Sequence, residues 1–131
     1  MEKDYDSAKD NKSVAEEPSI GYLIGFSQTG MPYRLFESQT KSIPFTQGEW
    51  SDVLHLSERT FQRYKKENKR FESIYTEKIL EIILLFRRGR SVFGSTKAFY
   101  QWLITPNVSM GDVKPYTIID NTFGIKLVTD T

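Results

Sequence analysis

The sequence predicts an all-α protein, with a helix-turn-helix in its first part and a helical lobe after it. Three observations carry that expectation. No alternating apolar/polar pattern of useful strand length occurs after residue 45. Thr46-Gln-Gly-Glu49 has the Thr-x-x-Glu form of a capping box, with Trp50, Val53 and Leu54 following at helical spacing. Ile79, Leu80, Ile82, Ile83, Leu84, Leu85 and Phe86 wrap almost all the way round a helix, which implies burial on several sides. At 131 residues and 38% hydrophobic content the chain is one domain long and rich enough in apolar groups to build a core.

Taken in order, residues 1–17 hold six acidic and three basic side chains with few apolar ones, the composition of a disordered tail. Residues 18–44 regain aromatic and aliphatic groups, but Gly21, Gly25, Gly30 and Pro32 interrupt any long period. The stretch reads either as short helices or as an irregular arm. A helix is expected to start at Gln47 and to break at His55-Leu56. Ser57, a good N-cap, then opens a second helix with Phe61 and Tyr64 facing inward and Arg59, Gln62, Arg63 and Lys66 facing out. A helix-turn-helix is therefore placed over 45–72, although its turn lacks the usual glycine.

The central core helix is expected over Ile74 to Phe93, ended by Gly94. Ser95 or Thr96 can cap the next helix, whose stripe of Ala98, Phe99, Trp102 and Leu103 reads as core-facing and stops at Thr105-Pro106. Pro115 suits the first turn of a further helix carrying Ile118 and Ile119, with Gly124 as its stop. Residues 73–131 thus form the core helix and the C-terminal lobe.

Composition narrows the chemistry. Cysteine is absent, which removes disulfides, thiolate metal sites and a cysteine nucleophile, and fits a reducing, cytoplasmic setting. His55 is the lone histidine and reads as a surface or packing residue, since a zinc site or nucleophilic triad would need partners for it. No run of about 18 apolar residues spans a membrane, and no basic leader precedes Ile20 to Phe26. With no phosphate-binding glycine loop and no base positioned for Ser or Thr, the expectation is a protein without catalytic residues, metal or cofactor.

What remains is charge on a helix. Residues 57–70 hold six basic groups against Glu58 and Glu67, a local charge of +4. On the second helix of a helix-turn-helix that is an electrostatic footprint for phosphates, with Arg59, Gln62 and Arg63 placed to reach base edges. Ser57, Thr60, Lys65, Lys66 and Lys69 complete the expected DNA-binding set. Arg87, Arg88 and Arg90 form a second basic cluster, which either complements the negative end of the core helix or meets an acidic partner.

Val92 to Val128, "VFGSTKAFYQWLITPNVSMGDVKPYTIIDNTFGIKLV", resembles the toxin-binding domain of Xre/MbcA/ParS-type antitoxins: V-F-G, then A-x-x-W-L, P-N, a glycine turn, a proline, a hydrophobic helix, T-x-x-G and a valine. "LHLSERTFQRYKK" resembles the Xre-like helix-turn-helix of that family, with its L-x-x-S-x-R-T-hydrophobic-Q-R pattern. The resemblance implies a dimeric antitoxin that binds and silences a RES-domain toxin that consumes NAD and represses its own promoter by binding operator DNA. It also implies toxin-binding roles for Trp102, Pro106, Asn107, Met110, Gly111, Pro115, Thr122 and Gly124. Two departures stand out: the family commonly has Gly-Gly where this chain has Gly111-Asp112, and its members usually continue past the position of Thr131 into a tail resembling L-x-R-I-x-x-G that blocks the toxin. By that measure the lobe is expected to be incomplete at its C-terminus.

Overall fold

Helices account for nearly all the regular structure in the computed structural model, which describes residues 18–131. The expected acidic tail, 1–17, lies outside the described residues. The stretch read as short helices or an arm is helical: α1 (Ile20–Ile24), α2 (Phe26–Thr29) and α3 (Tyr33–Gln39). Each is too short to stand alone, so tertiary contact holds them. Leu23 and Met31 are fully buried, and Phe71 donates its N–H to the Met31 carbonyl at 2.9 Å. The buried Thr76 hydroxyl completes this seam, accepting from Met31 N–H at 3.1 Å and donating to the Phe71 carbonyl at 3.0 Å. A buried hydroxyl used in both directions offsets its desolvation cost. Gly30 crosses here at φ +89, so close that a Cβ would stand 2.5 Å from the Phe71 carbonyl oxygen.

The next two helices follow the sequence closely. α4 (Gln47–Leu54) opens with the expected capping box: Thr46 Oγ1 accepts from Glu49 N–H and Glu49 Oε1 accepts from Thr46 N–H, both at 3.0 Å. His55 ends it in the left-handed region at φ 58, where glycine is the usual residue, and Ser51 Oγ donates to the Leu56 carbonyl to close the turn. α5 (Glu58–Glu67) is capped by Ser57, buries Phe61 and Tyr64, and ends at Asn68 in a left-handed conformation. Asn68 then works twice, because its Oδ1 accepts from Arg34 N–H at 2.9 Å and seats the start of α3 against the end of α5.

α6 (Ser73–Phe93) is the central helix, with Ile79, Leu80, Ile82, Ile83, Leu85 and Phe86 buried. Leu84 departs from the expected burial and is 43% exposed, since no element among the described residues covers that side chain fully. Gly94 ends α6 at φ +92, and Ser95 caps α7 (Thr96–Leu103). Phe99 and Leu103 point inward as expected, whereas Trp102 is only half-buried. Gly89 makes this crossing possible: a Cβ there would lie 2.3 Å from the Phe99 ring.

Two expectations about the end of the chain need correction. Pro115 starts a single 3₁₀ turn (Pro115–Ile118), not a longer helix. Gly124 is not a helix stop; it sits in the first turn of α8 (Thr122–Asp130), where Asn121 Oδ1 accepts its N–H at 2.8 Å. The glycine is there for close approach, because a Cβ would meet the Ile118 carbonyl oxygen at 1.5 Å. No helix among the described residues is long and apolar enough to cross a membrane.

Candidate functional site: a basic helix face and a C-terminal lobe on one core helix

The first surface is α5. Arg59, Arg63 and Lys66 recur at i, i+4 and i+7, so they share one exposed face, with Gln62 beside them and Lys65 and Lys69 flanking. Phe61 and Tyr64 anchor the opposite face in an aromatic cluster; the Tyr64 and Phe71 ring centroids are 5.1 Å apart. Arg63 and Lys69 bracket the Tyr64 ring at 5.9 and 5.6 Å from its centroid, which limits how far either cation can swing. Burial pushes the Tyr64 phenol above its ordinary range, so it stays neutral beneath them.

Ser57 and Thr60 have a different place. Ser57 Oγ accepts from Thr60 N–H at 3.1 Å and donates to Thr60 Oγ1 at 2.9 Å, so both hydroxyls serve first as the helix cap. One further residue belongs with this face and was not singled out from sequence. Gln47, at the first position of α4, accepts a 2.9 Å hydrogen bond on Oε1 from Gln62 Nε2. The bond joins residues 15 apart and sets the orientation of the Gln62 amide, which no local pattern reveals.

The second surface is the C-terminal lobe, held against the helix-turn-helix by polar bridges. Tyr100 donates to Glu49 Oε2 at 2.7 Å, so one carboxylate both completes the α4 capping box and receives α7. Tyr116 packs against α4 with its hydroxyl 3.4 Å from the Glu49 carbonyl and from Asp52 Oδ2. Burial, followed by the Asp52 and Glu49 carboxylates, raises its phenol well above the ordinary value. His55 Nε2 lies 3.2 Å from Asp120 Oδ2, tying the helix-turn-helix turn to the segment before α8.

Within the lobe, the loop from Thr105 to Lys114 closes on itself. Asn107 donates its N–H to the Val113 carbonyl at 2.9 Å, its own carbonyl accepts from Met110 and Asp112, and its side chain caps the Val108–Met110 turn through Ser109. Gly111 and Asp112 both adopt positive φ, +81 and +65. The Asp112 position therefore has the backbone that glycine prefers. Asp112→Gly should accordingly stabilise the protein by about 0.5–1 kcal/mol in a chemical melt, and a loss of stability would count against the left-handed turn.

The remaining lobe residues named from sequence divide by environment. Pro115 and Gly124 are buried and position neighbouring backbone. Thr122 Oγ1 donates to Glu81, with distances of 3.1 and 3.4 Å to its two oxygens, and so ties α8 to α6. Pro106 and Gly111 are exposed and Met110 is half-buried against the core. Trp102 and Asn107 line a cleft of about 210 Å³ between α6, α7 and the end of α8. Sequence patterning missed Val108 and Phe123, the most exposed large apolar groups of the lobe at 86% and 87%.

Comparison with known proteins places both surfaces. Residues 24–84 match the antitoxin Xre-like helix-turn-helix domain, from the end of α1 through α2 to α5 and into the first part of α6. Residues 88–131 match the antitoxin Xre/MbcA/ParS C-terminal toxin-binding domain, which begins at Arg88 within α6. No curated protein matches the chain. With the basic helix-turn-helix and the lobe on its central helix accounted for by consecutive matches from residue 24 to the last, the chain belongs to the Xre/MbcA/ParS-type antitoxins.

Proposed function

We propose that this antitoxin neutralises a RES-domain, NAD-consuming toxin through its C-terminal lobe and represses its own operon as a homodimer through α5, working in the cytoplasm without catalysis of its own. The observation that carries the DNA half is the exposed Arg59–Arg63–Lys66 face on a doubly capped helix-turn-helix. The RES-type partner is drawn from the resemblance of Val92 to Val128 to the toxin-binding domains of that family. A competing reading, a protein-interaction module that does not bind DNA, differs at the same face.

Fluorescence anisotropy on a duplex spanning the region upstream of the gene, at two salt concentrations, separates the two. Arg63→Ala should weaken binding by about 1–3 kcal/mol if the side chain reads a base, whereas Lys69→Ala should mainly flatten the salt dependence. Parent protein that shows no salt-dependent binding would leave the interaction-module reading in place.

A further inference from the structure

The 210 Å³ cleft does not stand alone. A more open hollow of about 360 Å³, bordered by Leu84 and Ile125, adjoins it and shares Leu85, Arg88 and Thr129 as walls. Together they make a groove along the C-terminal half of α6, with α8 as its far wall. Each end presents apolar side chains: Val92 (65% exposed) and Phe93 stand with Trp102 at one, beside Asn107 and Thr131, and Leu84 at the other, beside Glu81. Phe93 and Trp102 form one face, their ring centroids 5.6 Å apart. Leu84 and Val92 lie eight residues apart on α6, which sets these two apolar groups about 12 Å apart along the helix.

Charge sets the middle of the groove. Arg88, between the hollows, is exposed and has no ion-pair partner among the described residues. The carboxylate in the second hollow, Glu81, is engaged by Thr122. A guanidinium flanked by apolar walls favours a carboxylate brought in with its own apolar neighbours, which cover the pair once they are seated. Both hollows open to solvent along their length, unlike small-molecule sites, which enclose most of their ligand. Arg88, Val92, Phe93, Trp102 and Ile125 all fall within the matched toxin-binding domain.

We propose that this groove takes a short segment of the toxin with an apolar–acidic–apolar pattern: one side chain enters beside Trp102 and Val92, a second beside Leu84, and the carboxylate between them meets Arg88. The proposal rests on the toxin-binding reading above and specifies the face and chemistry of the contact. It makes Arg88, of the second basic cluster, a contact residue for an acidic partner.

The test is calorimetric binding of the purified product of the neighbouring toxin gene to the full chain and four variants. Val92→Glu and Leu84→Glu, at exposed positions that leave the core intact, should each weaken binding at least about tenfold, as loss of an interface anchor does. Arg88→Met should retain part of the affinity but flatten its salt dependence. Phe123→Glu, at an exposed residue lining neither hollow, should change affinity less than about threefold, and thermal melts should show all four variants folded. Unchanged binding by both glutamate variants would overturn the proposal. So would Val92→Glu dissociating a dimer in light scattering while toxin affinity holds, because the groove would then belong to a second copy. Absence of binding by the parent chain would instead overturn the antitoxin–toxin reading itself.

Discussion

Replacing Phe71 with alanine should cost about 3–5 kcal/mol and disorganise the exposed basic face of α5 along with the stability. Phe71 is fully buried, and its ring centroid lies 5.2 Å from Phe36, 5.1 Å from Tyr64, 6.0 Å from Phe61 and 6.1 Å from Tyr33. Those rings belong to α3 and α5, so one side chain joins the N-terminal helices to the basic helix. Its backbone also carries the seam through Met31 and Thr76. The surrounding rings are held from several elements and cannot all collapse into the vacated space, which puts the cost at the upper end of the range for large-to-small changes. Urea unfolding followed by far-ultraviolet circular dichroism measures it. A midpoint close to the parent's would mean that the aromatic cluster does not organise the domain.

Gly124→Ala should cost about 3 kcal/mol and loosen the C-terminal lobe specifically. The added methyl would sit 1.5 Å from the Ile118 carbonyl oxygen, and that neighbour is backbone that cannot rotate away. α8 would have to lift from the turn before it, displacing Ile125 and Val128 from the core and deforming the far wall of the groove. Gly21→Ala is the contrasting control, since a Cβ there meets only Ser19 Oγ at 3.8 Å; helix propensity makes it neutral or stabilising by about 0.5–1 kcal/mol. Melts of the two variants side by side, with calorimetric toxin binding, give the comparison. Parent-like stability in Gly124→Ala would rule out the close packing of α8 on Ile118.

Both effects bear on how the two halves communicate. Glu49 caps α4 and receives Tyr100, and His55 at the turn faces Asp120. The basic face and the lobe are therefore mounted on one continuous packing unit, with α6 running through both. The exposed His55–Asp120 pair contributes little by itself, because solvent screens it. The shared aromatic packing around Phe45, which meets Trp50, Phe86, Tyr100 and Tyr116, does more to keep the halves in register.

What the sequence determined by itself is the set of features governed by neighbours three or four residues away. The Thr46–Glu49 capping box, the Ser57 cap, a cap at Ser95 or Thr96, the Gly94 stop and the outward basic face of α5 all follow from that spacing, and the structure has each of them, with Ser95 as the cap. Periodicity also placed α6 to within a residue. The family was legible for a related reason: fixed intervals between special residues, such as the glycine turn and the two prolines, survive as a pattern even without coordinates. The remaining features arise only when distant elements pack together. Gly124 reads as a stop because glycine commonly follows helix ends, but its role comes from Ile118, whose position depends on the 3₁₀ turn between them. Trp102 belongs to an apolar stripe, yet whether it is covered depends on how far α8 reaches across α6 and α7. Gln47 orients Gln62 across the helix-turn-helix, and Arg88 stands between two hollows whose walls come from helices distant in sequence. Caps and periods are written in local spacing, whereas a groove or a close backbone approach exists only after separate elements have packed, and no short window of residues carries that information.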